Sequence, residues 1–304
     1  MSSPEAGTVQ VRRLGVAYIP AALSATVLWS AGNLLASSAS LDGPQLAFWR
    51  TVCGATLYQI VWRARGGRMR WATIRTAAVG GLGFGLQATF YFSALQLTSV
   101  TTAAVIGALQ PILMIPISWR ALGERVGGRQ LLLVVCAVSG AALVVVGSSS
   151  TGDDNLVGDV LAVIGTVVGC FYFTGTKTAR VTLSTVEYQA AALTVAAMAT
   201  LPGALMFGNG LTVPTVGQAA WPVLMTIVPG SGHLLMSWAQ RHLSVGTTST
   251  IALLVTPISA LGSVLVLGET LAPPQFFGIA IVVVALGLFV RGIVDVASPA
   301  AAIE

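Results

Sequence analysis

Charge is what this 304-residue chain has least of: Lys, Arg, Asp and Glu together make up 8% of it, against about 25% in an ordinary soluble domain. With 55% apolar residues spread along the whole length, a soluble fold could not hide its greasy surface. Cysteine is scarce as well. Cys53, Cys136 and Cys170 all fall in apolar runs, are odd in number and lack metal-ligand spacing, so they read as small core residues and imply no metal site. With two histidines and no acid clearly placed in the middle of an apolar run, the clustered His, Asp, Glu or Cys of a membrane-embedded enzyme is missing, and no catalytic residue is assigned. The glycines of GGLGFG, Gly80 to Gly85, do not have the GxGxxG spacing and follow no strand, so no nucleotide cofactor is implied. A net charge of +5 could suggest nucleic acid, but the basic residues are not gathered on one face or tail.

What the chain has instead is apolar runs. Ten of them approach the 20 or so residues needed to cross a hydrocarbon core about 30 Å thick, near 16–36, 44–62, 72–93, 99–119, 130–147, 157–177, 184–206, 218–240, 245–267 and 274–292. The longest linkers, around Ser148 to Leu156 and Gly208 to Gly217, leave no room for a soluble domain. Arg12 and Arg13 precede an apolar run that ends near Ala36 to Ala39 and could pass for an export signal. That run is too long for an h-region and nine more follow, so it reads as an uncleaved first helix.

Putting the amino terminus in the cytoplasm sorts the basic residues. The inside segments then carry Arg12, Arg13, Arg63, Arg65, Arg68, Arg70, Arg75, Arg120, Arg125, Arg129, Lys177, Arg180, Arg241 and Arg291; of the 15 basic residues only Arg50, within span 2, is left over. The outside segments hold acids such as Asp42, Asp153, Asp154 and Glu269. This positive-inside bias predicts an inner-membrane protein with both termini cytoplasmic.

The chain also repeats itself. Leu122-Gly123-Glu124 before Gln130 returns as Leu267-Gly268-Glu269 before Gln275, an offset of 145 residues, with Ala94 matching Ala239 and Ser99 matching Ser244. A one-residue shift also aligns Thr102 with Thr248, Gln110 with Thr256 and Pro111 with Pro257. Five spans per half is an odd number, so the second half enters the membrane from the opposite side. The predicted fold is all-α: ten transmembrane helices in two inverted five-helix repeats, 16–147 and 157–292, flanked by tails 1–15 and 293–304. Inverted repeats are a transporter architecture, since two related halves can expose one central site to either side. Glu269 has no basic residue on its side of the membrane, so an ion pair cannot be the purpose shared with Glu124. Each glutamate just precedes span 5 or span 10, where unpaired N–H groups and the positive end of the helix dipole await an acceptor; a proton-carrying role is the alternative.

This doubled pattern, a proline in a polar-flanked helix, then LGE, then Gln six residues on, resembles the EamA family of the drug/metabolite transporter superfamily. Pro44 leading to Arg50 in span 2 is similar to that family's first-repeat pattern. One departure is that Pro257 to Glu269 spans twelve residues where Pro111 to Glu124 spans thirteen. The resemblance implies solute movement through a central cavity lined mainly by spans 1, 3, 4, 6, 8 and 9, with spans 5 and 10 peripheral. It leaves open amino acids, nucleotides, sugars and drugs as solutes.

Helical spacing picks candidates for that cavity. Trp29 and Asn33 share a face of span 1, Gln87 and Tyr91 of span 3, Tyr172 and Thr176 of span 6, and His233 and Ser237 of span 8; Thr102 with Gln110 and Thr248 with Thr256 repeat the arrangement eight apart. Interhelical hydrogen bonding is the competing role for each. Pro111 and Pro257 are expected to kink their helices, as packing features or as hinges. Arg50 costs about 2.5–3.5 kcal/mol at mid-membrane unless a structural partner, snorkelling or an anionic solute group relieves it. Ser184 and Glu187 fit a capping box, Asp159 a helix-terminus charge, and Gly81 with Gly85 and Gly165 with Gly169 close helix packing. His233 could titrate in a range that suits proton coupling. The reading is a secondary transporter of a small organic metabolite, an amino acid or related compound, with export favoured by the resemblance. Its partners are the solute, the lipid bilayer and protons as candidate coupling ions. A drug or organic-cation efflux carrier and a non-transporting receptor or assembly component are the alternatives.

Overall fold

Where apolar runs end, short polar side chains take over the unpaired N–H groups of the next helix. Asp42 accepts from the Gln45 N–H at 3.0 Å, Ser184 from Glu187 at 3.3 Å, Thr215 from Gln218 at 3.4 Å and Ser244 from Thr247 at 3.0 Å. A computed structural model describes residues 17–97, 103, 106–124, 127–146, 156–207, 210–267 and 273–297. Its longer helices are α1 (Ile19–Ser37), α2 (Gly43–Ala64), α3 (Trp71–Leu97), α4 (Gln110–Leu122), α5 (Gly128–Val146), α6 (Leu156–Ala179), α7 (Thr185–Met206), α8 (Val216–Gln240), α9 (Val245–Ala252), α10 (Val255–Leu267) and α11 (Pro273–Ala297). No strand occurs among the described residues, and six stretches are long and apolar enough to cross a membrane. Thr102, Glu269, the tail 1–15 and the linker 147–155 lie outside the described residues.

Inside the helices, hydroxyls return to their own backbone. Thr51, Thr89, Thr166, Thr176 and Thr226 each donate to the carbonyl four residues back at 2.7–3.0 Å, so these polar groups ask for nothing from lipid.

Two prolines do more than the expected kink. Leu253 and Leu254 form a turn that separates α9 from α10, with i→i+3 bonds from Leu253 N to Thr250 O (3.1 Å) and from Leu254 N to Ile251 O (3.0 Å). Pro257 follows in the first turn of α10. Leu109 turns just before α4 in the same way, and Pro111 occupies the first turn of α4. Where the sequence reading has bent but continuous spans, the structure has helix breaks. The reason is that proline's missing N–H is harmless in a first turn and disruptive in an interior.

Packing relies on small residues. Because lipid is as apolar as a leucine side chain, helices in a membrane associate by close fit rather than by a hydrophobic drive. α3 lies between α6 and α7, α1 runs along α8, α2 along α7, and α5 pairs with α11. A Cβ on Gly175 would stand 2.3 Å from the Gly80 backbone N, and one on Gly83 would stand 2.5 Å from that of Tyr172, so α3 and α6 meet backbone to backbone. Gly81 and Gly85 press on Ala192 and Ala196 of α7, and Gly169 receives the Gln87 side chain. Val134, Ala137, Ala141, Val282, Ala285 and Phe289 form a separate core between α5 and α11.

Gly175→Ala should therefore cost about 1–3 kcal/mol by overpacking, which lowers the melting temperature in detergent by roughly 3–10 °C. Gly287→Ala, where a Cβ meets nothing within 4 Å, should leave it unchanged or slightly raised. Equal melting of the two variants would contradict the close α3–α6 contact.

Candidate functional site

Where α1, α2, α3, α6 and α8 come together, their aromatic and polar side chains converge. The Tyr172 hydroxyl shares a 2.9 Å hydrogen bond with Nδ1 of His233. The imidazole is held among rings, with Phe84 at 4.7 Å, Trp29 at 4.8 Å and Tyr172 at 5.6 Å between centroids. Phe173 closes the group at 5.4 Å from Tyr172 and 6.3 Å from Trp29. Arg50 enters from α2 with its guanidinium carbon 5.1 Å from the Phe84 centroid and 5.7 Å from that of Phe92, a cation–π arrangement. Its position is held from behind, as the Thr226 hydroxyl donates to the Arg50 carbonyl at 3.2 Å. Met114 of α4 and Val245 of α9 pack into the same cluster, so the half-helices on either side of it touch the site.

Trp29, Arg50, Tyr172 and His233 are thus brought together, with Phe84 and Phe173 as neighbours that helical spacing did not single out. The remaining candidates separate. Gln87 lies along α6 against Gly169. Tyr91 packs higher on α3 with Leu95, Ala103 and Ala162. Asn33 donates to the Ser259 hydroxyl of α10 at 3.2 Å, and Ser30, one turn away, donates to the Val255 carbonyl at the α9–α10 break. Gln110 and Thr256 stand at the two breaks beside Pro111 and Pro257, and Nε2 of Gln110 is buried without a partner. Ser237 is turned away from His233: it accepts from Gln189 of α7 at 3.3 Å, and its carbonyl accepts from Arg180 Nε at 3.0 Å. Thr176 likewise pairs with the Tyr188 hydroxyl of α7 at 2.6 Å. For both, sharing a helix face with a cluster residue does not mean facing the cluster, because one turn along a packed helix the neighbouring element changes.

The repeated glutamate finds a partner that sequence order hid. Gly123, at φ +68, turns the chain off the end of α4, and the Glu124 carboxylate accepts the Val245 N–H at 2.9 and 3.1 Å and the Gly246 N–H at 3.4 Å. The partner is backbone N–H at a helix start, as the sequence reading has it, but the helix is α9 in the other half of the chain and not the adjacent α5. Ser244 caps the same helix start, so α9 has two side-chain acceptors. Around it, Lys177 donates to the Leu243 carbonyl at 2.7 Å. Arg180 donates to the carbonyls of Ser237 and Leu183 and to the Thr185 hydroxyl, tying together the ends of α6, α7 and α8. Burial, and after it Arg241, draws the Arg180 pKa down to about 10, which still leaves it charged at neutral pH. Glu187, capped back by Ser184, accepts from Thr73 at 3.2 Å on α3.

Residues 16–146 and 156–291 each match the EamA-like transporter family, so the match takes in both halves of the chain. The chain belongs to that family. This EamA-like protein is a multi-pass membrane transporter of the drug/metabolite transporter superfamily. An uncharacterized transporter of Archaeoglobus fulgidus is 26% identical to it over 193 residues, 63% of this chain and 67% of that one. A crystal structure of a protein 18% identical to it shares the fold, with a TM-score of 0.70 over 90% of this chain and 99% of the other.

In this EamA-like transporter, Glu124→Ala should free the α9 start. Losing a charge-assisted cap of about 1–2 kcal/mol corresponds to about tenfold faster hydrogen exchange at Val245 and Gly246. Glu124→Gln, which keeps an acceptor without the charge, should fall between. Exchange rates that do not move in Glu124→Ala would contradict the contact.

Proposed function

We propose that this EamA-like protein is a secondary transporter, moving a small organic metabolite, an amino acid or related compound, by alternating access between two inverted five-helix repeats, 16–147 and 157–292. The observation that carries the reading is the buried cluster of Arg50, Trp29, Tyr172 and His233 in the interior of an apolar bundle, beside two spans whose helices are broken. Irregular backbone at membrane depth is tolerated where it lines a solute path.

Helix neighbours support the inverted arrangement. The contact of α3 with α6 has its counterpart five spans on in that of α8 with α1, and the contact of α3 with α7 in that of α8 with α2. α2 with α7, α5 with α11, and α4 with α9 pair across the halves. Fourteen inward-assigned basic residues support an inner-membrane protein with cytoplasmic termini. On that orientation Lys177, Arg180 and Glu124 stand at the cytoplasmic end, where the Glu124 contact with α9 closes the path inward, and export rests on the family resemblance. Spans 5 and 10 are peripheral, while Pro111 and Pro257 mark the hinges. His233 is the candidate carrier of a coupling proton. An organic-cation efflux carrier and a non-transporting receptor or assembly component are the competing readings. An enzyme is not, since two histidines in the whole chain supply no clustered catalytic groups.

Purified protein in liposomes should show saturable counterflow with at least one member of a panel of amino acids, organic acids, nucleosides and organic cations, assayed with and without a pH gradient. His233→Gln should lose gradient-driven flux and keep exchange. Flux of no solute in the panel would contradict transport, and unchanged gradient dependence in His233→Gln would remove that residue from coupling.

A further inference from the structure

Seven buried side-chain polar atoms lack a hydrogen-bond partner among the described residues, and only one of them belongs to a charged group: Nη2 of Arg50. That side chain is 7% exposed, and it starts about seven residues, or roughly 10 Å, along α2. A buried charge that is not completed by hydrogen bonds is costly enough that such groups are almost always paired. The immediate surroundings of Arg50 offer ring faces, Phe84 and Phe92, in place of a carboxylate. Nearby acids are engaged elsewhere: Asp42 with the backbone N–H and side-chain amide of Gln45, Glu187 with Thr73, and Glu124 with α9.

Two further orphans are also N–H donors, Nε1 of Trp29 and Nε2 of Gln110. Trp29 joins Arg50 through the chain of rings Trp29, His233 and Phe84. Gln110 opens α4 one turn before Met114, which packs on Phe84 and Tyr172. Around this cluster the unmet demand is for acceptors, and the uncompensated charge is positive. The other buried orphans, on Gln59, Trp62 and Gln240, belong to other parts of α2 and α8.

We propose that the cluster is a binding site for an organic carboxylate. The carboxylate accepts from the Arg50 guanidinium and from Trp29 Nε1, and the apolar remainder of the solute lies against Phe84, Phe173 and the Trp29 ring. This rests on the transporter reading and narrows it, because an organic cation entering the cluster meets a like charge at Arg50 with no carboxylate to offset it. Arg50, placed in span 2, is then the residue that selects the sign of the solute.

The test uses two families of probes that differ only in head group: phenylacetate, phenylacetamide and phenethylamine, and the corresponding indole-3-acetate, its amide and tryptamine. Binding is measured by titration calorimetry on the purified full-length protein. Because hydrogen bonds to a charged group exceed neutral ones, at least one acid should bind about ten- to a hundredfold more tightly than its amide, and neither amine should bind. Arg50→Gln should erase the difference between acid and amide, and Arg50→Lys should keep part of it. The empty Arg50→Gln protein should melt no lower than the unaltered one, since Nη2 has no partner to lose. Equal affinity for acid and amide, preference for an amine, no binding by any of the six, or a ligand-free Arg50→Gln protein that melts well below the parent would overturn the proposal. In liposomes, saturable flux without preference for acids removes the carboxylate site and leaves transport standing, whereas flux of no solute removes transport itself.

Discussion

In hydrocarbon there is no water to complete a hydrogen bond, so every polar group of this chain must find its partner inside the protein. That constraint accounts for most of what the structure does with its few polar side chains. Threonines fold back on their own helices. At one end of the bundle Lys177 and Arg180 donate to carbonyls at helix ends and in turns, while the Glu124 carboxylate sits on the opening N–H groups of α9. Cations at carbonyl-rich ends and an anion at an N–H-rich end are the sense that the helix dipole favours. With so little charge to spend, the chain puts it at helix termini, where one group can serve several backbone atoms.

The same constraint makes the exceptions informative. Breaking a span in two, as at Leu109 before α4 and at Leu253–Leu254 between α9 and α10, leaves backbone groups that a continuous helix would have used. Ser30 answers one of them, at Val255. The half-helices flank the aromatic cluster, with Met114 and Val245 packed into it. Arg50, Trp29 and Gln110 remain with donors unmet in that region. A site built for a solute has this character: its own groups are incomplete until the solute arrives, and the backbone around it can rearrange at the breaks. The Glu124 contact then takes on a second meaning, since it joins the end of α4 to the start of α9, one broken span from each half.

Much of this could be read from the chain itself. The helices were legible because each is a long apolar run, and the breaks were half legible, because Pro111 and Pro257 announce irregularity without saying whether it is a kink or a gap. Trp29, Arg50, Tyr172 and His233 stood out as polar or amphipathic residues in greasy surroundings. Phe84 and Phe173 did not, since one more aromatic in a helix apolar on all sides carries no periodic signal. Ser237 and Thr176 misled for the opposite reason: spacing gives a helix face, but which neighbour covers that face is decided by tertiary packing, here α7. The partner of Glu124 was hidden because Val245 lies in the other half of the chain, and helix starts look alike in sequence.

The central claim is that water and solute reach the interior beside the broken spans while the α7 side stays sealed. Thiol accessibility tests it most directly, in protein whose Cys53, Cys136 and Cys170 have been replaced by alanine and which is reconstituted in liposomes. A cysteine introduced at Gln110 should react with a membrane-impermeant thiol reagent from at least one side, and a cysteine at Ser237 should not. Equal protection of the two positions from both sides would contradict the account.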